Sequence, residues 1–194
     1  MFGKMADSKP SVDETLHKNL KDLKEYVALA TVNAKDYQNT NIKIIRHMIE
    51  EENIPGVYVT LNKPFKTLKK LLKNKKIDTR VVIFIDGVSK IAGGDIKKTE
   101  ECLYIGSPEN LSDIAVAMEQ AVMAIQSENK FLFFDSLNTL LLYNKAITVA
   151  KFIHFLSTKM RTWKVKGIIV SLHKNKDKEL IDELSQFCDV IMDM

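Results

Sequence analysis

The sequence predicts an α/β protein, a three-layer α/β/α sandwich around a mostly parallel sheet. Three observations carry that prediction. Strand-like and helix-like segments alternate along nearly the whole chain. The strand candidates are continuous apolar runs, such as Val81-Val82-Ile83-Phe84-Ile85 and Phe131-Leu132-Phe133-Phe134, rather than alternating ones. A strand covered on both faces reads this way, because both of its rows of side chains are buried. Both of these runs end in an acid, Asp86 and Asp135. In an open parallel sheet, ligands bind beyond the carboxyl ends of the strands.

The elements follow in order. Ser11-Val12-Asp13-Glu14 is a capping box, and Val12, Leu16, Leu20 and Leu23 line one face of the helix it opens. Tyr26 to Val32 is the first core strand. Asn33 to Asn39 is polar and turn-like, and Thr40 is placed to cap a helix carrying Ile42, Ile45, Met48 and Ile49 inward. Pro55-Gly56 ends that helix, and Val57 to Leu61 is a strand. Pro64 suits the first turn of a helix with Phe65, Leu68, Leu71 and Leu72 on its apolar side. The strand ending at Asp86 comes next. A polar excursion over Ile91 to Glu101 and a short strand at Cys102 to Ile105 follow it. Asn110 or Ser112 opens a helix through Ile125, and Lys130 to Asp135 is the next strand. Ala146 to Trp163 is a long helix. Gly167 to Leu172, Asp177 to Phe187 and Cys188 to Met192 read as strand, helix and closing strand.

Composition narrows the function classes. A chain of 194 residues with 45% hydrophobic content fits one domain with a filled core. The expected division is a flexible tail over 1–10, an N-terminal helix over 11–25 and the main domain over 26–194. No apolar stretch reaches the length of a membrane span, and the first residues lack an apolar signal core. The expected compartment is the cytoplasm. Cys102 and Cys188 read as buried thiols, and the four histidines show no zinc-ligand spacing.

The net charge of +4 is unevenly placed: Lys63 to Arg80 holds seven lysines and one arginine against one acid. Lys66, Lys69, Lys70 and Lys73 share one helical face there, an interaction surface for an acidic protein or for nucleic acid phosphates.

Four segments carry a family resemblance: Pro55 to Leu61, Phe84-Ile85-Asp86, Phe131 to Tyr143, and Gly167 to Ser171 with the helix before it. From Tyr26 onward the chain resembles the RecA/KaiC-like branch of the P-loop NTPases, and within it uncharacterised archaeal KaiC-like proteins that lack the Walker A motif. The resemblance implies a RecA-like sheet, with Asp135 and Ser136 at the Walker B position, where such an acid orients Mg²⁺.

Two departures bear on activity. The phosphate loop should join Val32 to the helix at Thr40, yet Asn33 to Asn41 contains no glycine. A phosphate cradle turns successive N–H groups inward, often at positive φ, and glycine permits this. Lys35, the only lysine of that loop, is not followed by serine or threonine. The second departure follows Leu61. The family carries there a glutamate that polarises the attacking water, whereas this chain reads Asn62-Lys63, and neither side chain is a base.

Hydrolysis by the family mechanism is therefore not expected. The first reading is a pseudo-ATPase domain that regulates or binds other proteins, or itself, with no cofactor. A second is a remodelled site holding ATP and Mg²⁺ through Asp135, Asp86, Lys35 and Thr40. A third is nucleic-acid binding through the lysine face. A serine–histidine–acid grouping around Ser107, Ser171 and His173 lacks a nucleophile elbow. Without nucleotide between subunits, a monomer or dimer is expected.

Overall fold

The capping box forms as the sequence predicts. Ser11 Oγ accepts the Glu14 N–H at 3.2 Å, and Glu14 Oε2 accepts the Ser11 N–H at 2.7 Å. Two of the four free N–H groups at the helix start are thereby satisfied. The computed structural model describes residues 10–93, 96, 99–173 and 178–194. The expected tail over 1–10 lies, apart from Pro10, outside the described residues, as do Gly94 and Lys174.

Helix α1 (Val12–Leu20) leads into β1 (Tyr26–Val32), α2 (Tyr37–Arg46) with a π-helical turn at His47–Glu51, and β2 (Gly56–Thr60). Then come α3 (Phe65–Asn74), β3 (Val82–Asp86), β4 (Cys102–Tyr104) and α4 (Leu111–Ala124). The chain continues through β5 (Phe131–Asp135), α5 (Leu137–Tyr143), α6 (Ala146–Thr162), β6 (Lys166–Leu172), α7 (Lys178–Ser185) and β7 (Val190–Asp193).

The seven strands form one sheet in the order β4-β3-β2-β5-β6-β1-β7, every neighbouring pair parallel. Alternate strand residues face opposite layers, which gives two cores. Val27, Leu29, Val59, Leu132 and Phe134 pack against α4, α5, α6 and α7. Ala28, Ala30, Tyr58, Phe84 and Phe133 pack against α1, α2 and α3. The N-terminal helix thus packs on its own domain, with Leu16 and Leu20 fully buried. Gly56 makes β2 fit beside β5, since a Cβ there would lie 2.3 Å from the Phe131 ring.

Two boundaries differ from the sequence prediction, and one helix is added. The second helix starts at Tyr37, not Thr40. The Asp36 N–H bonds Asn33 O at 3.0 Å, and the Thr40 N–H bonds Asp36 O at 2.8 Å. Asp36 is therefore the cap, and Thr40 lies buried within the helix. The first helix stops at Leu20 because the Leu23 N–H turns back to Leu20 O. The apolar stretch after Asp135 folds as α5, with Leu137 and Leu140 buried.

Candidate functional site

The carboxyl ends of the central strands bring together side chains that the sequence scatters. Register places Thr60 of β2 beside Asp135 of β5, and Asp135 beside Val170 of β6. Asp135 is 4% exposed. Its Oδ2 accepts the Tyr58 hydroxyl at 2.8 Å, and its Oδ1 accepts an Asn62 amide N–H at 3.1 Å. The same Asn62 nitrogen lies 3.1 Å from Ser136 Oγ and 2.5 Å from the Tyr37 hydroxyl. The Thr139 hydroxyl donates to Asn62 Oδ1. Asn62 therefore ties α2, β5 and α5 together directly over the acid.

Burial pushes the Asp135 carboxyl up to about 8, because a carboxylate loses its hydration there. Burial likewise pushes the Tyr58 phenol up, so it stays a donor. Tyr58 is held edge-on to Phe133, with ring centroids 4.9 Å apart. The space bounded by Tyr37, Asn41, Tyr58, Lys63 and Asp135 measures about 10 Å³. That is one water-sized site at most. Asn41 Oδ1 is a buried acceptor without a hydrogen-bond partner there.

The other predicted residues are placed elsewhere. Lys35 is exposed in the four-residue turn between β1 and α2. Strand β6 separates that turn from Asp135, a gap of two strand spacings or about 10 Å. Asp86 is also two strands from Asp135, beyond β2. One Mg²⁺ ion binds oxygens at about 2.1 Å, so two carboxylates it shares must lie within about 4 Å of each other.

Asp86 is fully buried and accepts four hydrogen bonds. They come from Phe65 N (2.7 Å), Val88 N (2.7 Å), Ser89 N (2.8 Å) and Ser89 Oγ (2.6 Å). Its carboxylate thus caps α3, whose own preceding residue, Pro64, provides no side-chain cap. The serine–histidine grouping does not assemble. Ser171 Oγ donates to Asn138 Oδ1, and His173 pairs with Asp193 at 2.7 Å.

On α3, Lys66, Lys70 and Lys73 are exposed and make no ion pair among the described residues, whereas Lys69 pairs with Glu101 and lies over the Phe65 ring. Among the described residues no cluster of three His, Cys, Asp or Glu side chains could hold a metal. No described helix is long and apolar enough to cross a membrane. A larger cavity of about 680 Å³ lies along β4, lined by Lys90, Cys102, Tyr104 and Asp113, away from Asp135, Lys35 and Thr40.

Sequence reasoning had noted Asn62 as a lost base. It missed Tyr37, Asn41, Tyr58 and Thr139. Tyr37, Tyr58 and Thr139 meet partners that stand 25 to 77 residues away, beyond the reach of any spacing rule.

A family profile matches residues 44–194. The chain belongs to DUF7504, a family of unknown function. The match takes in Tyr58, Asn62, Asp86 and Asp135 of this DUF7504 protein and leaves out Lys35 and Thr40. No curated protein matches the chain. Among solved structures it is similar to the KaiC-like protein PH0186 from the hyperthermophilic archaeon Pyrococcus horikoshii OT3. The TM-score is 0.60 at 17% identity, over 87% of this chain and 71% of that one. It is also similar to the uncharacterized protein PH0321 from Pyrococcus horikoshii, solved with an unknown peptide. There the TM-score is 0.67 at 12% identity, over 95% and 84% of the two chains. The DUF7504 chain thus has a RecA/KaiC-like fold.

Proposed function

We propose that this DUF7504 protein is a KaiC-like domain whose nucleotide site is closed from within, and that it works through protein contacts. The observation that carries the reading is the filled space around Asp135. Tyr58 and Asn62 occupy both carboxylate oxygens, and the neighbouring space of about 10 Å³ is far too small for a phosphate group. With burial holding the carboxyl protonated near neutral pH, Asp135 is a poor partner for Mg²⁺. The glycine-free turn at Asn33–Asp36 agrees, since it has no residue suited to a phosphate cradle.

Thermal unfolding with ATP and Mg²⁺ at millimolar concentration tests the reading. A ligand that binds only the folded state raises the melting temperature in proportion to its occupancy. We expect no shift. A rise of several degrees that Asp135→Asn abolishes would support the remodelled nucleotide site instead.

The exposed row of Lys66, Lys70 and Lys73 favours one alternative, contact with nucleic acid phosphates. That reading predicts affinity that falls steeply with salt and is lost in Lys70→Glu/Lys73→Glu.

A further inference from the structure

Strand β4 forms one edge of the sheet, paired with β3 on its inner side. The Phe84 N–H bonds Glu101 O at 2.8 Å, and the Ile105 N–H bonds Asp86 O at 3.0 Å. Main-chain groups alternate in direction along a strand, so those of Cys102 and Tyr104 turn away from β3. Thr99 bridges Cys102 across a tight turn. Among the described residues the outward N–H and C=O of Tyr104 find no partner. Two residues on, Gly106 is exposed, its main chain has no partner among the described residues, and a Cβ there would meet nothing within 4 Å. Sheet edges commonly carry lysine or proline, which deter an added strand. The run Cys102-Leu103-Tyr104-Ile105-Gly106 carries neither.

The two sides of this edge differ in chemistry. On the α4 side lies the cavity of about 680 Å³. Leu103, Val116 and Ala117 give it an apolar lining, and its two charged residues, Lys90 and Asp113, are of opposite sign. On the α3 side the Tyr104 ring meets the Phe65 ring edge-on, with centroids 6.4 Å apart, so the start of α3 is level with Tyr104. Lys69 reaches Glu101, just before β4. Lys66 lies three residues before Lys69 on the same side of α3, which sets it beside Tyr104. It is exposed and makes no ion pair among the described residues.

We propose that the β4 edge receives an extended peptide of a partner protein whose residues alternate apolar and acidic. The proposal rests on the reading of the protein as a protein-contact domain and names the chemistry of the partner. The open N–H and C=O of a strand edge are matched by another main chain, which carries both groups at the same spacing. Successive side chains of an added strand point to opposite faces of the sheet. Those toward α4 enter the apolar cavity. Those toward α3 meet Lys66, whose charge favours a carboxylate and disfavours a second cation. The open stretch is short, so binding should be weak, in the micromolar range.

Fluorescence anisotropy of a labelled eight-residue peptide alternating valine and glutamate, titrated with the full chain, tests this. We expect saturable binding. The same peptide with lysine for glutamate should bind about tenfold more weakly, and Lys66→Glu should reverse that preference. Val116→Asp, a change at an exposed position, should weaken binding about tenfold while keeping the parent circular dichroism spectrum. N-methylation of the peptide on alternate residues separates strand addition from mere charge attraction. Methyl groups on the set whose N–H faces β4 should abolish binding, and those on the other set should leave it. No binding up to about 1 mM chain overturns the proposal. So does an equal effect of the two methylated sets, or a preference for glutamate that Lys66→Glu leaves unchanged. A chain that sediments as a dimer and refuses the peptide would give the edge to a second copy, and also overturns it. Silence toward ATP combined with silence toward the peptide would end this proposal and leave the functional reading standing. ATP binding combined with peptide binding would do the reverse.

Discussion

Replacing Asp135 by asparagine should remove a pH dependence from the protein's stability. The Asp135 carboxyl titrates at about 8 in the fold, against an ordinary value of 3.8. The folded chain therefore holds a proton that the unfolded chain has already lost over that interval. The stabilising contribution is full below about pH 4, falls as pH rises, and is gone once pH passes about 8. Its steepest slope is about 1.4 kcal/mol per pH unit, which gives a loss of about 3.5 kcal/mol between pH 5 and pH 8. Tyr58 and Asn62 both donate to the carboxylate and oppose the shift. Half the loss, about 1.8 kcal/mol, still stands clear of the error in a urea titration. Asparagine carries no titrating proton and keeps an oxygen for the Asn62 or Tyr58 donor. Urea unfolding at pH 5, 6, 7 and 8 should thus show the parent losing stability relative to Asp135→Asn as pH rises. Parallel profiles would mean an ionised carboxylate in the fold, free to attract Mg²⁺, and would contradict a protonated Asp135.

Two further predictions concern packing and backbone. Gly56→Ala drives a methyl group to 2.3 Å from the Phe131 ring in the middle of the sheet. Chemical unfolding should show a loss of about 1–3 kcal/mol without change of fold. Lys76 sits at φ 60° after α3, in the left-handed region, where Ile77 N bonds Leu72 O and closes the helix end. Glycine meets no steric penalty there, so Lys76→Gly should stabilise by about 1 kcal/mol. An unchanged or lowered melting temperature would count against that reading of the helix end.

The parallel sheet was legible because its strands are apolar on both faces. Phe131 to Asp135 could hardly be anything but a central strand. Strand order was not legible, since β6 enters between β1 and β5 from more than a hundred residues along the chain. Helix α5 was not legible because the apolar run Leu140-Leu141-Leu142 gives a seven-residue helix no polar face to show its period. Thr40 looked like a cap because threonine favours that position, but the tight Asn33–Asp36 turn starts the helix earlier. Lys69 shared a face with Lys66, Lys70 and Lys73 in the sequence, and Glu101, 32 residues on, takes it out of the free row.

The missing glycine loop was visible at once, since an absence of a residue type needs no tertiary context. The side chains that close the space around Asp135 were not visible. A tyrosine in β2 and an asparagine beyond it become its partners only when β2 lies against β5.

Isothermal titration of ATP with Mg²⁺ into the full chain, beside the Asp135→Asn variant, tests the closed site most directly. A closed site gives no binding heat from either protein. Saturable heat from the parent that disappears in the variant would show a working nucleotide site at Asp135 and would contradict it.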